Sequence, residues 1–182
     1  MKKGGSKAKG SGWEREVSKI LTKWLTGSIR PYAFYRQPAS GGIATIFEEC
    51  GDMSGDIRAM LPVAIPIMAK LSIECKFGYP NVNFHQHLKD TKGFKVKEFW
   101  DQCIGDAQKA NKYPILIFKK HGHNAIIGVD EKLNTLLPYG IKLNKSITIS
   151  FENLTSITFY DMIRFLDIVT PDIIEGLPPW QN

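Results

Sequence analysis

Cysteine is scarce in this sequence. The 182 residues include three cysteines, Cys50, Cys75 and Cys103, which lie far apart and form no C-x-x-C pair. An odd number at this spacing argues against a disulfide framework and against a zinc knuckle. The pattern is typical of a protein that works in a reducing interior.

Long apolar runs are also lacking. The most apolar stretch, from Ala59 to Ala69, is too short to span a bilayer and is interrupted by Pro62 and Pro66. No signal-peptide pattern opens the chain, and the aromatic-and-glycine signature of RNA-binding modules is missing. We therefore expect a cytoplasmic protein without a membrane partner, and RNA is a poor candidate for its ligand.

The charge that is present is unevenly distributed. The formal net charge is +6, and it comes from residues 1–112, where 18 Lys and Arg face 11 Asp and Glu; residues 113–182 have 6 against 7. The lysines cluster at positions 2–9 and 89–97. Clustered positive charge suits a phosphate backbone, although a solvated tail and a solvated loop would produce the same pattern.

The length and an apolar fraction of 43% indicate one globular domain. We expect a flexible basic arm over residues 1–12 and a single domain over 13–182, with its core at about 13–130 and a C-terminal strand and helix extension at 131–182. Ser11 has the spacing of a helix N-cap, and Pro62 and Pro66 suggest a bulged or loop-like hairpin. The predicted order of elements, α-β-β-β-α-β-β-β-α, favours a mixed sheet with helices packed against it.

One predicted strand has an unusual pair of charges. Glu74 and Lys76 alternate with Ile73, Cys75 and Phe77, so the acid and the base share one face. Burying them would be costly unless they serve each other or a ligand. A solvated strand face would explain the pair equally well.

Two further acids could complete a site. Asp56 follows Gly55 at the start of a predicted strand, where an ordinary turn aspartate is the commoner explanation. Glu14 lies three residues after Ser11, as a capping box requires, yet on a helical wheel it falls within the apolar stripe. Each acid has a structural explanation alone, but together they could bind a metal ion.

These residues carry a resemblance to a known family. Gly55-Asp56 followed by Glu74-Cys75-Lys76 resembles the motif of the PD-(D/E)xK nuclease superfamily, with glycine in place of the proline. The opening Lys9-Gly10-Ser11-x-x-Glu14 and the turn Arg36-x-Pro38-x-Ser40 resemble archaeal-type Holliday junction resolvases, whereas Trp100-Asp101-Gln102 is more similar to phage-encoded nucleases of the superfamily. The resemblance implies an α/β fold with a restriction-endonuclease-like core, in which a central mixed β-sheet is flanked by α-helices.

The resemblance also implies a set of roles. The catalytic residues would be Glu14, Ser40, Asp56, Glu74, Lys76 and Gln102. Mg²⁺, with Mn²⁺ able to substitute, would be held by Asp56, Glu74, the backbone carbonyl of Cys75 and, directly or through water, Glu14. Lys76 would orient and help deprotonate the attacking water, or neutralise the transition state. DNA contacts are expected from Lys7, Lys9, Ser11, Arg36 and Ser40.

The leading interpretation is a Mg²⁺-dependent DNA endonuclease of branched DNA, most similar to a Holliday junction resolvase that acts as a homodimer in recombination and repair. If the protein is phage-encoded, it would work in the host-cell cytoplasm. A phage nuclease of the same fold that cuts other branched or duplex DNA is the alternative. A non-catalytic DNA-binding protein on this fold, with structural carboxylates, is a further one.

Overall fold

A computed structural model describes residues 5–37, 54–83, 87, 94–151 and 155–180, with side chains from residue 9 onward. The helices are α1 (Gly5–Thr26), α2 (Ile65–Lys70), α3 (Lys95–Ala110), α4 (Glu131–Leu136), α5 (Tyr139–Lys142), α6 (Met162–Ile168) and α7 (Pro171–Glu175). The strands are β1 (Phe34–Arg36), β2 (Ile57–Ala59), β3 (Leu71–Phe77), β4 (Tyr113–Lys119), β5 (Ala125–Val129), β6 (Ser146–Ser150) and β7 (Ser156–Asp161).

The strands form a mixed sheet. Its five strands have the order β3-β4-β5-β7-β6; β3 and β4 are parallel, and the other neighbours are antiparallel. The parallel pair is connected through α3, which is the crossover that two parallel strands require. A separate two-stranded antiparallel sheet joins β1 to β2. The predicted α/β class, with a central mixed sheet flanked by helices, is confirmed.

Two apolar cores cover the two faces of the sheet. Alternate residues of β4 point in opposite directions, so Ile115 and Ile117 join one core while Leu116 and Phe118 join the other. The first core contains α1 and α6, and the second contains α3, whose Trp100 is fully buried. Glu74 and Lys76 are on the α3 side of β3, opposite Ile73 and Cys75.

The beginning of the chain differs from the expectation. Helix α1 starts at Gly5, so the prediction that Ser11 caps it is wrong, and residues 5–12 are helical. The Gly-rich composition suggested a loop, but Lys7, Ala8 and Lys9 are good helix formers that extend an already nucleated helix. The division into an arm and one domain stays a prediction.

The segment with the two prolines also differs. Instead of a hairpin, Pro62–Ala64 form a 3₁₀ turn and Ile65–Lys70 form α2. Each proline occupies one of the first two helical positions, where its missing N–H costs nothing. Strand β7 and helices α4, α5 and α7 were not expected. In the part of the chain that the structure describes, no helix is long and apolar enough to cross a membrane.

Candidate active site

Three side chains form a closed hydrogen-bonded triangle at the centre of the site. The Lys76 Nζ lies 2.6 Å from the Glu74 Oε1 and donates a 2.9 Å hydrogen bond to the Gln102 Oε1. The Gln102 Nε2 donates to the same Glu74 oxygen at 2.9 Å. Within the charged pair on β3, Glu74 is buried and Lys76 is half-buried, and α3 supplies the amide that hydrogen-bonds to both.

Asp56 is held next to this triangle by the backbone of β3. Its Oδ2 accepts a 2.8 Å hydrogen bond from the Cys75 N–H, and its own N–H donates to the Ile73 carbonyl at 2.7 Å. The preceding Gly55 has a φ of +77°, and a Cβ there would lie 2.5 Å from the Ile73 carbonyl oxygen. Only glycine permits so close an approach, which explains why it stands before the aspartate.

Burial and mutual repulsion perturb these acids. The pKa of Glu74 is raised to about 7, mainly by burial and secondly by the charge of Asp56, although Lys76 lowers it. Burial also raises the pKa of Asp56, while the Cys75 N–H and Lys76 lower it. Burial lowers the pKa of Lys76, but its hydrogen bond and attraction to Glu74 prevail and raise it. The lysine therefore stays cationic between two carboxylates of reduced acidity.

Glu14 is oriented differently. Its Oε2 lies 3.3 Å from the Arg36 Nη1, which joins α1 to β1. Burial and the charge of Asp56 raise the pKa of Glu14, and Arg36 lowers it. Glu14 therefore lies within electrostatic reach of Asp56, but its carboxylate is directed towards an arginine.

Asp56 lines a cleft of about 420 Å³ together with Glu74 and Gln102 of the triangle. Gln37, Ser54, Asp106 and Lys109 also line it, and no role was predicted for any of them. Asp106 and Lys109 follow Gln102 by one and two helical turns, so their spacing on α3 could have revealed a shared face. Gln37 and Ser54 gave no comparable signal.

The remaining predicted residues have different outcomes. Ser40 lies outside the described residues, and for Lys7 only the backbone, in α1, is described. Lys9 is exposed and Ser11 is half-buried on the same helix. Their roles in DNA binding stay predictions, as does that of the Cys75 carbonyl.

The donor set of the cleft fits a hard divalent cation. Asp56 and Glu74 offer carboxylate oxygens, which Mg²⁺ prefers, and their repulsion is the cost that a bound cation would relieve. Among the described residues, however, no group of three or more His, Cys, Asp or Glu side chains is placed to hold a metal ion. Glu14 pairs with Arg36 instead, and its role as a ligand stays a prediction.

Two comparisons with known proteins find similar phage proteins. A family model described as "Phage putative PDDEXK endonuclease" matches residues 5–172. Protein D14 of Escherichia phage T5 is 30% identical over 125 residues, which cover 69% of this chain and 71% of that protein. No solved structure gives a significant match.

Proposed function

The chain belongs to the phage PDDEXK endonuclease family, and on that premise we propose that it hydrolyses DNA phosphodiester bonds with the help of Mg²⁺, for which Mn²⁺ can substitute. The observation that carries the proposal is the convergence of Asp56, Glu74 and Gln102 in one cleft, with Lys76 bonded to both Glu74 and Gln102. A structural ion pair would not require a second, half-buried carboxylate beside it, because each charge withdrawn from water adds a desolvation cost.

Each residue of the candidate active site has its own role in the proposed reaction. Asp56 and Glu74 hold the cation, which when bound supplies a Lewis acid for the phosphoryl oxygen and a more acidic water. Lys76 remains an ammonium, since its pKa is raised, so it orients the attacking water and offsets the charge that develops on phosphorus. Gln102 holds the side chains of Lys76 and Glu74 in place through its two hydrogen bonds. When those hydrogen bonds break, its amide can position water or phosphate.

We propose branched DNA as the substrate, with the four-way junction as the first candidate. The resemblance of the Lys9–Glu14 and Arg36–Ser40 segments to junction resolvases supports it, as does the positive charge of residues 1–112. A homodimer would place two identical sites across the junction. In this role Lys7, Lys9, Ser11, Arg36 and Ser40 contact the DNA backbone, and the protein acts in the host-cell cytoplasm.

A second candidate is a nuclease that cuts other branched or duplex DNA. It is favoured by the family match, which is to phage endonucleases in general rather than to resolvases. The two candidates share every residue of the cleft and differ only in the DNA structure presented to it.

The proposal is tested by incubating the protein with a four-way junction, linear duplex and single-stranded DNA, each with Mg²⁺ or with EDTA. Symmetric nicking of the junction alone supports the resolvase, and general duplex cutting supports the second candidate. Asp56→Asn is expected to abolish cleavage. The matched control is Asp101→Asn, since Asp101 is an exposed aspartate on α3 that pairs with Lys97. Binding without cleavage in either metal would contradict the proposal.

A further inference from the structure

An unusual turn follows the strand that carries Glu74 and Lys76. Directly after β3, Gly78 and Tyr79 have φ values of +95° and +51°. A bulky residue rarely adopts this left-handed conformation, because its Cβ crowds the backbone. Strained residues of this kind cluster at ligand sites, where the surrounding structure holds them in place.

The surroundings of Tyr79 hold it firmly. The Gly78 N–H donates to the Lys119 carbonyl at 3.0 Å, and the Val82 N–H donates to the Tyr79 carbonyl at 3.0 Å. The Tyr79 ring packs against Phe99 with a centroid distance of 4.7 Å, yet 42% of the residue remains exposed. An aromatic ring is thus presented to solvent from a well-braced turn.

Phe99 connects the Tyr79 ring to Lys76 of the hydrogen-bonded triangle and to the wall of a pocket. Its centroid lies 5.5 Å from the Lys76 Nζ and 6.0 Å from the Phe118 ring. Phe118 lines a pocket of about 720 Å³, a volume typical of small-ligand sites. Tyr79 therefore lies close to the proposed site of hydrolysis and to the pocket, since its ring packs on Phe99 and its carbonyl accepts from the N–H of Val82, which lines the pocket.

The lining of the pocket suits a nucleobase. Val82, Phe118 and Ile126 supply apolar surface, and Asn83, Lys120 and Asn124 supply polar groups at its rim. Lys120 Nζ donates to the Val82 carbonyl at 3.1 Å, and Asn124 Nδ2 donates to Asp161 at 3.3 Å. Aromatic stacking, amide groups and a nearby cation are what proteins use to hold an unstacked base.

We propose that Tyr79 and this pocket bind an unpaired nucleobase next to the scissile phosphate. The inference rests on the proposed nuclease function and specifies its substrate: DNA in which at least one nucleotide beside the cut is unstacked, as at a branch point. A continuous duplex would leave the pocket empty and lose the stacking interaction.

Binding experiments without divalent ions test the proposal independently of cleavage. Fluorescence anisotropy compares a blunt duplex with the same duplex carrying a short single-stranded arm. Wild-type protein is expected to prefer the forked DNA. Tyr79→Leu should bind the forked DNA roughly tenfold more weakly, as for the loss of one stacked base, with little change on the duplex. Tyr79→Phe should retain the preference.

Tyr139→Leu is the matched control, because Tyr139 is 73% exposed on α5, a helix whose Ile141 packs in the core on the opposite face of the sheet. It should bind both DNAs like the wild type. If Tyr79→Leu binds both DNAs like the wild type, or weakens both equally, the proposal is wrong.

A further variant separates binding from folding. Asparagine tolerates positive φ, so Tyr79→Asn should melt at or above the wild-type temperature and still lose the preference for forked DNA. A variant that keeps this preference would overturn the proposal whatever its melting temperature.

Photo-crosslinking locates the base. A 4-thiothymidine at the unpaired position should crosslink to Tyr79 or to the residues lining the pocket, and crosslinks confined to other peptides would contradict the assignment. Cleavage assays with Mg²⁺ are run separately. A wild-type protein that cuts no DNA but prefers the forked DNA through Tyr79 would refute the nuclease function and leave the base site standing.

Discussion

Replacing Glu74 with glutamine is expected to stabilise the metal-free protein at alkaline pH. The Glu74 side chain is 5% exposed, and burial together with the charge of Asp56 raises its pKa to about 7 although Lys76 opposes the shift. When folding raises the pKa of a carboxyl group, the folded state is more stable with that group protonated than with it ionised. Its ionisation therefore costs stability, and a neutral glutamine avoids that cost.

The magnitude follows from the two pKa values. The difference between the ordinary value of 4.5 and about 7 corresponds to about 3 kcal/mol in the free energy of unfolding. The cost is absent below pH 4.5, grows as the pH rises between the two values, and is complete above about 7. The variant should gain about 3 kcal/mol at pH 8 and almost nothing near pH 4.5.

Urea unfolding in EDTA at several pH values between these limits measures the effect. Mg²⁺ should stabilise the wild-type protein at pH 8 and stabilise the variant less, since a bound cation offsets the repulsion that the variant lacks. Glu98→Gln is the control, because Glu98 is an exposed α3 acid paired with Lys95; its stability should change by less than about 0.5 kcal/mol. A pH-independent gain for Glu74→Gln, or no gain at pH 8, would refute the reasoning.

Three other outcomes are expected. Gly55→Ala should lose more than about 2 kcal/mol in urea unfolding, because of its positive φ and the contact with Ile73; Gly105→Ala, in α3 with open space around it, should gain about 0.5–1 kcal/mol. Lys76→Met should slow single-turnover cleavage by at least ~100-fold while DNA affinity changes little, since it removes a charge aimed at the developing transition state; near-normal cleavage would exclude that role. Arg36→Gln should reduce the steepness of a plot of the logarithm of the DNA association constant against the logarithm of salt concentration by about one, as the loss of one phosphate contact requires. An unchanged slope would show that Arg36 pairs with Glu14 and does not contact DNA.

Local patterns were sufficient for the elements that surround the site. The apolar stripe predicted for the first helix is confirmed, since Trp13, Val17 and Leu21 on α1 are buried. The run Leu71–Phe77 predicted a strand, and the alternation of its side chains correctly placed Glu74 and Lys76 on one face. Such features could be predicted because they depend on periodicity within one element.

The errors occur where tertiary context overrides a local signal. Gly and Ser residues before Trp13 suggested a flexible arm, yet α1 continues through them to Gly5. Strand β7 was missed because its pairing with β5 and β6 is what makes it a strand. The pairing of Glu14 with Arg36 could not be predicted either, since it depends on how α1 lies against β1.

By itself, the sequence determined which chemical groups are available: two acids, a lysine and a glycine that lets the chain turn before Asp56. These properties follow from residue type and spacing and do not depend on how the chain packs. The tertiary structure alone decided how the groups meet. It bonded Gln102 to both Glu74 and Lys76, and it raised the pKa of Glu74 by burying it beside Asp56. It also packed Tyr79 against Phe99, next to Val82 of the pocket lining. Burial and long-range contact arise only when elements distant in the chain pack together, so no local pattern contains them.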